Sequence, residues 1–228
     1  MNTRYGNKAG RRLIGLLLLA NFLTVHEVCA QTQSPDVLVR NTTEEVLTIV
    51  RSDKDIKAGK VDRIVDLIEE KVAPHFDFVR MTRLAVGRAW RDATPSQREA
   101  LIKEFRSLLV RSYSAAFTAY TGVSVEYRPF RFNPGDTEAT VQTIIKLPSG
   151  AEPVTVDYDM ALTPNGWKVY DVRVAGASLI INYRNLFALD IDRGGIEGLI
   201  KSLINKNSAH AKKAPVDKKG SADRASVI

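Results

Sequence analysis

The chain has 228 residues, with 33 Lys and Arg against 26 Asp and Glu, and one cysteine. The positive excess belongs mostly to the two ends: residues 31–207 hold 24 basic and 23 acidic side chains, a balance without the electrostatic footprint of a nucleic-acid binder. Because the lone Cys29 falls in a segment read below as removed, the remaining chain has no disulfide, thiolate nucleophile or cysteine-ligated metal site.

Arg4, Lys8, Arg11 and Arg12 form a positive opening, Leu13 to Leu23 an apolar run, and Val28-Cys29-Ala30 a small-residue cleavage site. This is the three-part pattern of a secretory signal peptide over residues 1–30. The apolar run is shorter than the ~20 residues that span a membrane. Glu27 and Val28 disagree with a lipoprotein cleavage box, so cutting is expected after Ala30. An exported domain over residues 31–206 must then stand on its own core.

Ser34-Pro35 predicts a helix start with proline in the first turn, followed by a stripe of Val39, Val46, Ile49 and Val50 up to Asp53. After Gly59, a second helix carries Val61, Ile64, Val65, Ile68 and Val72 and ends at Pro74. Asp77 is placed to cap a third helix with Phe78, Met81, Leu84 and Ala85, closing near Gly87. Thr94-Pro95-Ser96-Gln97 has the form of a capping box. The helix behind it carries Leu101, Phe105, Leu108, Ser112, Ala116 and Tyr120, with Gly122 as its stop.

Periodicity then changes to two. Val123, Val125 and Tyr127 alternate with polar residues; Val141, Thr143, Ile145 and Leu147 follow; then Val154, Val156, Tyr158, Met160 and Leu162. Asn165-Gly166 is a hairpin turn leading into Trp167–Val174. Four strands in a meander with one apolar face, after a run of helices, predict an α+β fold: helices on a four-stranded antiparallel twisted sheet. A last helical piece spans Ile196–Asn205, and residues 207–228, rich in Lys, Ala and Ser, read as a disordered basic tail.

Catalytic chemistry is sparse. His75 is the only histidine between the signal and the tail. With Asp77 it could form an acid–base pair, although an aspartate before an apolar-periodic run more often caps the helix. Asp157 and Asp159 share a strand face and are read as solvent-facing. No nucleotide-cradling glycine loop, nucleophile elbow or paired metal-ligand motif is present, and no cofactor is called for.

The order Phe76-Asp77-Phe78, Met81, Leu84-Ala85-Val86-Gly87, Trp90, Ala93-Thr94-Pro95-Ser96-Gln97-Arg98, Phe105, Leu108-Leu109 and Tyr113 resembles the MlaC family, also called toluene-tolerance auxiliary proteins. The likeness resumes at Val156-Asp157-Tyr158, Gly166-Trp167-Lys168-Val169-Tyr170-Asp171-Val172 and Gly176-Ala177-Ser178-Leu179. It ends with Asn182-Tyr183-Arg184-Asn185-Leu186-Phe187 and Gly195-Ile196-Glu197-Gly198-Leu199-Ile200. Val86, Ala177 and the basic tail depart from the family pattern.

The resemblance implies a periplasmic phospholipid carrier rather than an enzyme. Its cargo would be phospholipid, held in an apolar pocket between sheet and helices. Its partners would be an outer-membrane lipoprotein complex and an inner-membrane ATP-driven lipid transporter, and its task the upkeep of outer-membrane lipid asymmetry. Leu109, Tyr113 and Phe117 from the long helix, with Val141, Ile145, Val156, Tyr158 and Met160 from the sheet, are the candidate lining. Leu179, Tyr183 and Phe187 are a candidate movable edge, and Arg184 could meet a phosphate at the mouth or bond a strand end. Two other readings stand beside this one: a small-molecule enzyme of sheet-plus-helix cone fold using His75 and Asp77, and a lipid-free envelope adaptor or chaperone.

Overall fold

The computed structural model describes residues 33–119, 122–133, 135–148 and 150–212. The proposed signal peptide and residues 213–228 of the tail lie outside the described residues, as do the side chains of residues 115–119 and 210–212.

Helix α1 spans Pro35–Ser52, with proline in its first turn. The Ser34 hydroxyl donates to the Asp36 carboxylate at 2.7 Å and makes no backbone cap. Asp53 both ends α1 and opens the four-residue helix α2, Lys54–Lys57: its Oδ1 accepts from the N–H groups of Asp55 and Ile56 at 2.8 and 3.1 Å. Helix α3, Val61–Leu67, widens into a π turn over Ile68–Val72 and then tightens to a 3-10 turn at Ala73–His75, where Pro74 cannot continue the helix. Val46, Val50, Ile56, Ile64, Leu67 and Ile68 bury together against Val110 of the long helix.

Asp77 does cap α4, Phe78–Val86, accepting from the Arg80 N–H at 2.8 Å. A 3-10 turn at Gly87–Arg91 leads to α5, Pro95–Ala119. Its capping box forms as the spacing predicts: Gln97 N–H donates to Thr94 Oγ1 at 3.3 Å, and Thr94 N–H to Gln97 Oε1 at 2.9 Å.

The strands are β1 Ser124–Tyr127, β2 Glu138–Lys146, β3 Val154–Thr163, β4 Gly166–Val174 and β5 Ala177–Ser178. They pair antiparallel in the order β1-β2-β3-β4-β5. Among the described residues the sheet therefore has five strands, one more than the alternation predicts, because two residues are too few to establish a period. β5 pairs with Arg173 and Val174 at one end of the β4 edge. Toward the other end a parallel bridge joins Phe76 and Val169, where Asp77 N–H donates to Val169 O at 2.8 Å. Closing an edge in this way removes unpaired backbone groups that would invite strand addition.

The final helix, α6, runs over Leu179–Lys212 and is broken at Gly195, whose φ of 63° lies in the left-handed region. Periodicity placed a helix only over Ile196–Asn205; the first limb, before Gly195, was not predicted. The second limb folds back on its surroundings. Ser202 Oγ donates to Asp190 at 2.7 Å, and the Asn207 amide donates to the Glu104 backbone oxygen at 3.0 Å. Met81 and Ala85 of α4, Leu101, Phe105, Leu108 and Leu109 of α5, and Ile180, Phe187, Leu199 and Leu203 of α6 make the helical core.

Candidate functional site

The five sheet candidates share one face. Val141 sits opposite Tyr158, Ala139 opposite Met160, Thr143 opposite Val156 and Ile145 opposite Val154, so alternation carries Val141, Ile145, Val156, Tyr158 and Met160 to the same side. One end of this face is packed: Val141 and Met160 join Trp167 and Val169 under Val39 of α1. Toward the other end, Val156 and Thr143 are buried while Ile145 and Val154 remain partly exposed. The Thr143 hydroxyl donates across the strands to Val156 O at 3.1 Å. Burial pushes the Tyr158 phenol above its ordinary pKa, opposed in part by a hydrogen bond to Thr143.

The helical candidates fall in the other cluster. Leu109 and Phe187 are buried there, with Tyr113, Leu179 and Tyr183 packed against them. Phe105 is the centre of an edge-on aromatic triad, its ring centroid 4.9 Å from Tyr183 and 5.0 Å from Phe187. Burial raises the Tyr113 and Tyr183 pKa values, and each phenol contributes to the shift of the other. The Phe117 side chain is outside the described residues. Phe105, missed as a partner of Tyr183 and Phe187, was legible only as another apolar position of the long helix.

Phe76 packs into both clusters. The second link between sheet and helices is polar. Ser178 N-caps α6, its Oγ accepting from Ile181 N–H at 3.0 Å, while Asp171 of β4 accepts from Ile180 N–H at 3.1 Å and from the Ser178 hydroxyl at 2.5 Å. Asp171 and Ser178 are both buried, so a carboxylate at the positive end of the helix holds α6 to the sheet. Sequence reading missed this joint, since a strand aspartate and a serine seven residues on carry no motif.

The aspartate pair also differs from expectation. Asp159 is buried rather than solvent-facing: it accepts from Thr140 Oγ1 at 2.7 Å and lies 3.0 Å from Arg173, which also reaches Asp157 at 3.4 Å. One guanidinium neutralises both carboxylates, an arrangement for bracing strands β2, β3 and β4. Arg184 is exposed and packs over Gly87, at the C-terminal end of α4. Its Nε lies 3.2 Å from the point that a Cβ on Gly87 would occupy, and Gly87 has a φ of 66°. The positive φ favours glycine there, and an added Cβ would have to push the guanidinium aside.

His75 and Asp77 have separate roles. Asp77 is committed to the α4 backbone, and the His75 imidazole is held below its ordinary pKa by burial and by the charge of Lys168. A groove of about 530 Å³ lies along α5, lined by Glu69, Glu99, Ile102, Lys103, Arg106 and Ser107. Five of its six lining residues are polar or charged, Arg106 is ion-paired with Glu69, and none of the candidate lining residues borders it. Among the described residues no helix is long and apolar enough to cross a membrane.

Residues 40–205 match the family model described as MlaC protein. The chain is 26% identical to "Toluene tolerance protein ttg2D" of Pseudomonas putida over 79% of its length and 83% of that protein's. It is 19% identical to "Intermembrane phospholipid transport system binding protein MlaC" of Haemophilus influenzae, over 82% and 87% of the two chains. Its fold superposes with a TM-score of 0.72 and 37% identity on a phospholipid-binding protein from Ralstonia solanacearum solved in complex with a phospholipid, covering 77% of this chain and 98% of that one. The family model spans most of the chain, its sequence relatives align along most of their length, and its fold superposes on that of a phospholipid-binding protein: the chain belongs to the MlaC family.

Proposed function

We propose that this protein is a periplasmic phospholipid carrier that moves lipid between an outer-membrane lipoprotein complex and an inner-membrane ATP-driven transporter, so maintaining lipid asymmetry. The observation that carries the reading is the likeness, over 77% of this chain and 98% of the other, to a protein solved with a phospholipid bound. Burial of acyl chains sets the energetic task. At ~0.8 kcal/mol per methylene, two chains of ordinary length represent on the order of 20 kcal/mol of aversion to water.

The lining proposed is Leu109, Tyr113 and Phe117 of α5 facing Val141, Ile145, Val156, Tyr158 and Met160 of the sheet, with Leu179, Tyr183 and Phe187 at the edge. Supporting this is the placing of Leu109, Tyr113 and Phe187 in a helical cluster and of Val141, Tyr158 and Met160 in a separate sheet cluster, which share Phe76 and are tied by the Asp171–Ser178 joint. Two such bodies can part along their seam without tearing either core. Export by cleavage after Ala30 belongs to the same reading.

Native mass spectrometry of gently purified protein tests it. Co-purifying phospholipid, lost in Val156→Glu and Tyr158→Glu variants that keep wild-type circular dichroism, is the expected result. A clean lipid-free mass after loading attempts would refute carriage and favour the adaptor; turnover abolished by His75→Ala would favour the enzyme.

A further inference from the structure

The 25 residues of the α4 helix with its 3-10 turn, 78–91, and the opening of α6, 179–189, contain five arginines and no carboxylate. Such segregation stands out in a domain whose charges otherwise nearly cancel. Arg80 is engaged with Glu138 at 2.7 Å. Arg83, Arg88, Arg91 and Arg184 are exposed and, among the described residues, have no carboxylate within 4.0 Å. The two segments meet where the Arg184 guanidinium packs over Gly87, and Arg83 lies one helical turn before Gly87 on the same side of α4.

Beside Arg184, α6 turns aliphatic side chains to solvent. Ile181 is 58% exposed, Leu186 51% and Leu189 54%. Ile181 and Leu189 are eight residues apart on one stripe, Arg184 neighbours Ile181 at a three-residue step, and exposed Asn182 and Asn185 fill the space between. Ile181 to Leu186 spreads over about 140° of helix surface. A protein groove reads a narrow stripe at three- and four-residue spacing, whereas a lipid interface accepts a broad face of separated aliphatics rimmed by arginines.

We propose that the exposed face of α6, with Arg184, Arg83 and Arg88 along its flank, docks directly on the surface of a bilayer containing anionic phospholipid. Ile181, Leu186 and Leu189 enter the headgroup–acyl boundary, and the arginines meet headgroup phosphates. Docking there brings α6, which carries part of the proposed lining, to the membrane. This inference does not require that lipid be carried.

Co-sedimentation of protein purified from the cell envelope, with vesicles of phosphatidylcholine containing or lacking phosphatidylglycerol, is the test. Binding is expected only with the anionic vesicles and should be released by 0.5 M salt as charges are screened. An Arg83→Gln/Arg88→Gln variant should bind about 25-fold more weakly, at about five-fold per arginine. Ile181→Asp with Leu189→Asp, both at exposed positions, should abolish binding while circular dichroism is unchanged. The basic tail is present in every variant, so binding that persists undiminished would assign attraction to the tail and overturn the proposal. Failure of the wild-type protein to bind anionic vesicles would overturn it too, as would variants that lose only an envelope-protein partner. Native mass spectrometry on the same samples separates the two readings: retained lipid with no vesicle binding leaves carriage standing and removes docking, and the reverse pattern does the opposite.

Discussion

Replacing Asp171 with alanine should unfasten α6 from the sheet, and its cost can be worked from the contacts. The carboxylate is buried and accepts from Ile180 N–H at 3.1 Å, from the Ser178 hydroxyl at 2.5 Å and from Val172 N–H at 2.8 Å. Alanine strands the first two donors in a site largely closed to water, at ~1–3 kcal/mol for each unmet buried group. Since the serine hydroxyl can rotate toward another acceptor, the expected loss is about 3 kcal/mol. Ser178→Ala removes the backbone cap to Ile181 and should cost about 1 kcal/mol. The double variant should be more stable than the sum predicts by about 1 kcal/mol, because the Asp171–Ser178 bond is lost only once. Urea denaturation with unchanged slope is the assay. A loss below about 1 kcal/mol for Asp171→Ala, or strict additivity of the two substitutions, would refute the joint as described.

Three further outcomes follow from other contacts. Phe187→Ala removes a fully buried ring packed edge-on against Phe105 and should cost ~3–5 kcal/mol in the same assay. Gly87→Ala combines a positive φ with a Cβ placed 3.2 Å from Arg184 Nε, so it should destabilise by about 1–2 kcal/mol; in an Arg184→Ala background the steric part should disappear and the backbone part remain. His75 has a folded-state pKa below the ordinary 6.5, so the folded state binds its proton less readily than the unfolded chain does. Its contribution to stability is complete above pH 6.5 and is lost as pH falls through the lower folded value; urea midpoints of wild type and His75→Gln should therefore diverge at neutral pH and converge on acidification.

Periodicity over α5 and the strands made the α+β class readable, since a 3.6- or two-residue repeat records which side of an element is buried. The capping box at Thr94 and Gln97 and the cap at Asp77 were legible for a related reason: both are local, joining residues three apart. Ser34 was a partial exception, because Asp36 captured its hydroxyl before the backbone could. The first limb of α6 escaped the reading even though Leu179, Tyr183 and Phe187 recur at four-residue steps. Interspersed Asn182, Asn185 and exposed Leu186 blurred the stripe. The alternation of Val141, Ile145, Val156, Tyr158 and Met160 also foretold one common face, but not that α1 covers one end of it.

By itself, then, the order of amino acids determined most of the helices and strands, though not β5 or the first limb of α6, and where most helices begin, because those outcomes depend on neighbours within about four positions. Tertiary structure alone decided what Asp171, Asp159 and Arg184 do. Each acts across a long gap in the chain or between elements: Asp171 on the start of α6, Asp159 with Thr140 and Arg173, Arg184 over Gly87. Burial converts Asp171 and Asp159 from solvated charges into fasteners, and burial is a property of packed elements that no single stretch of sequence contains.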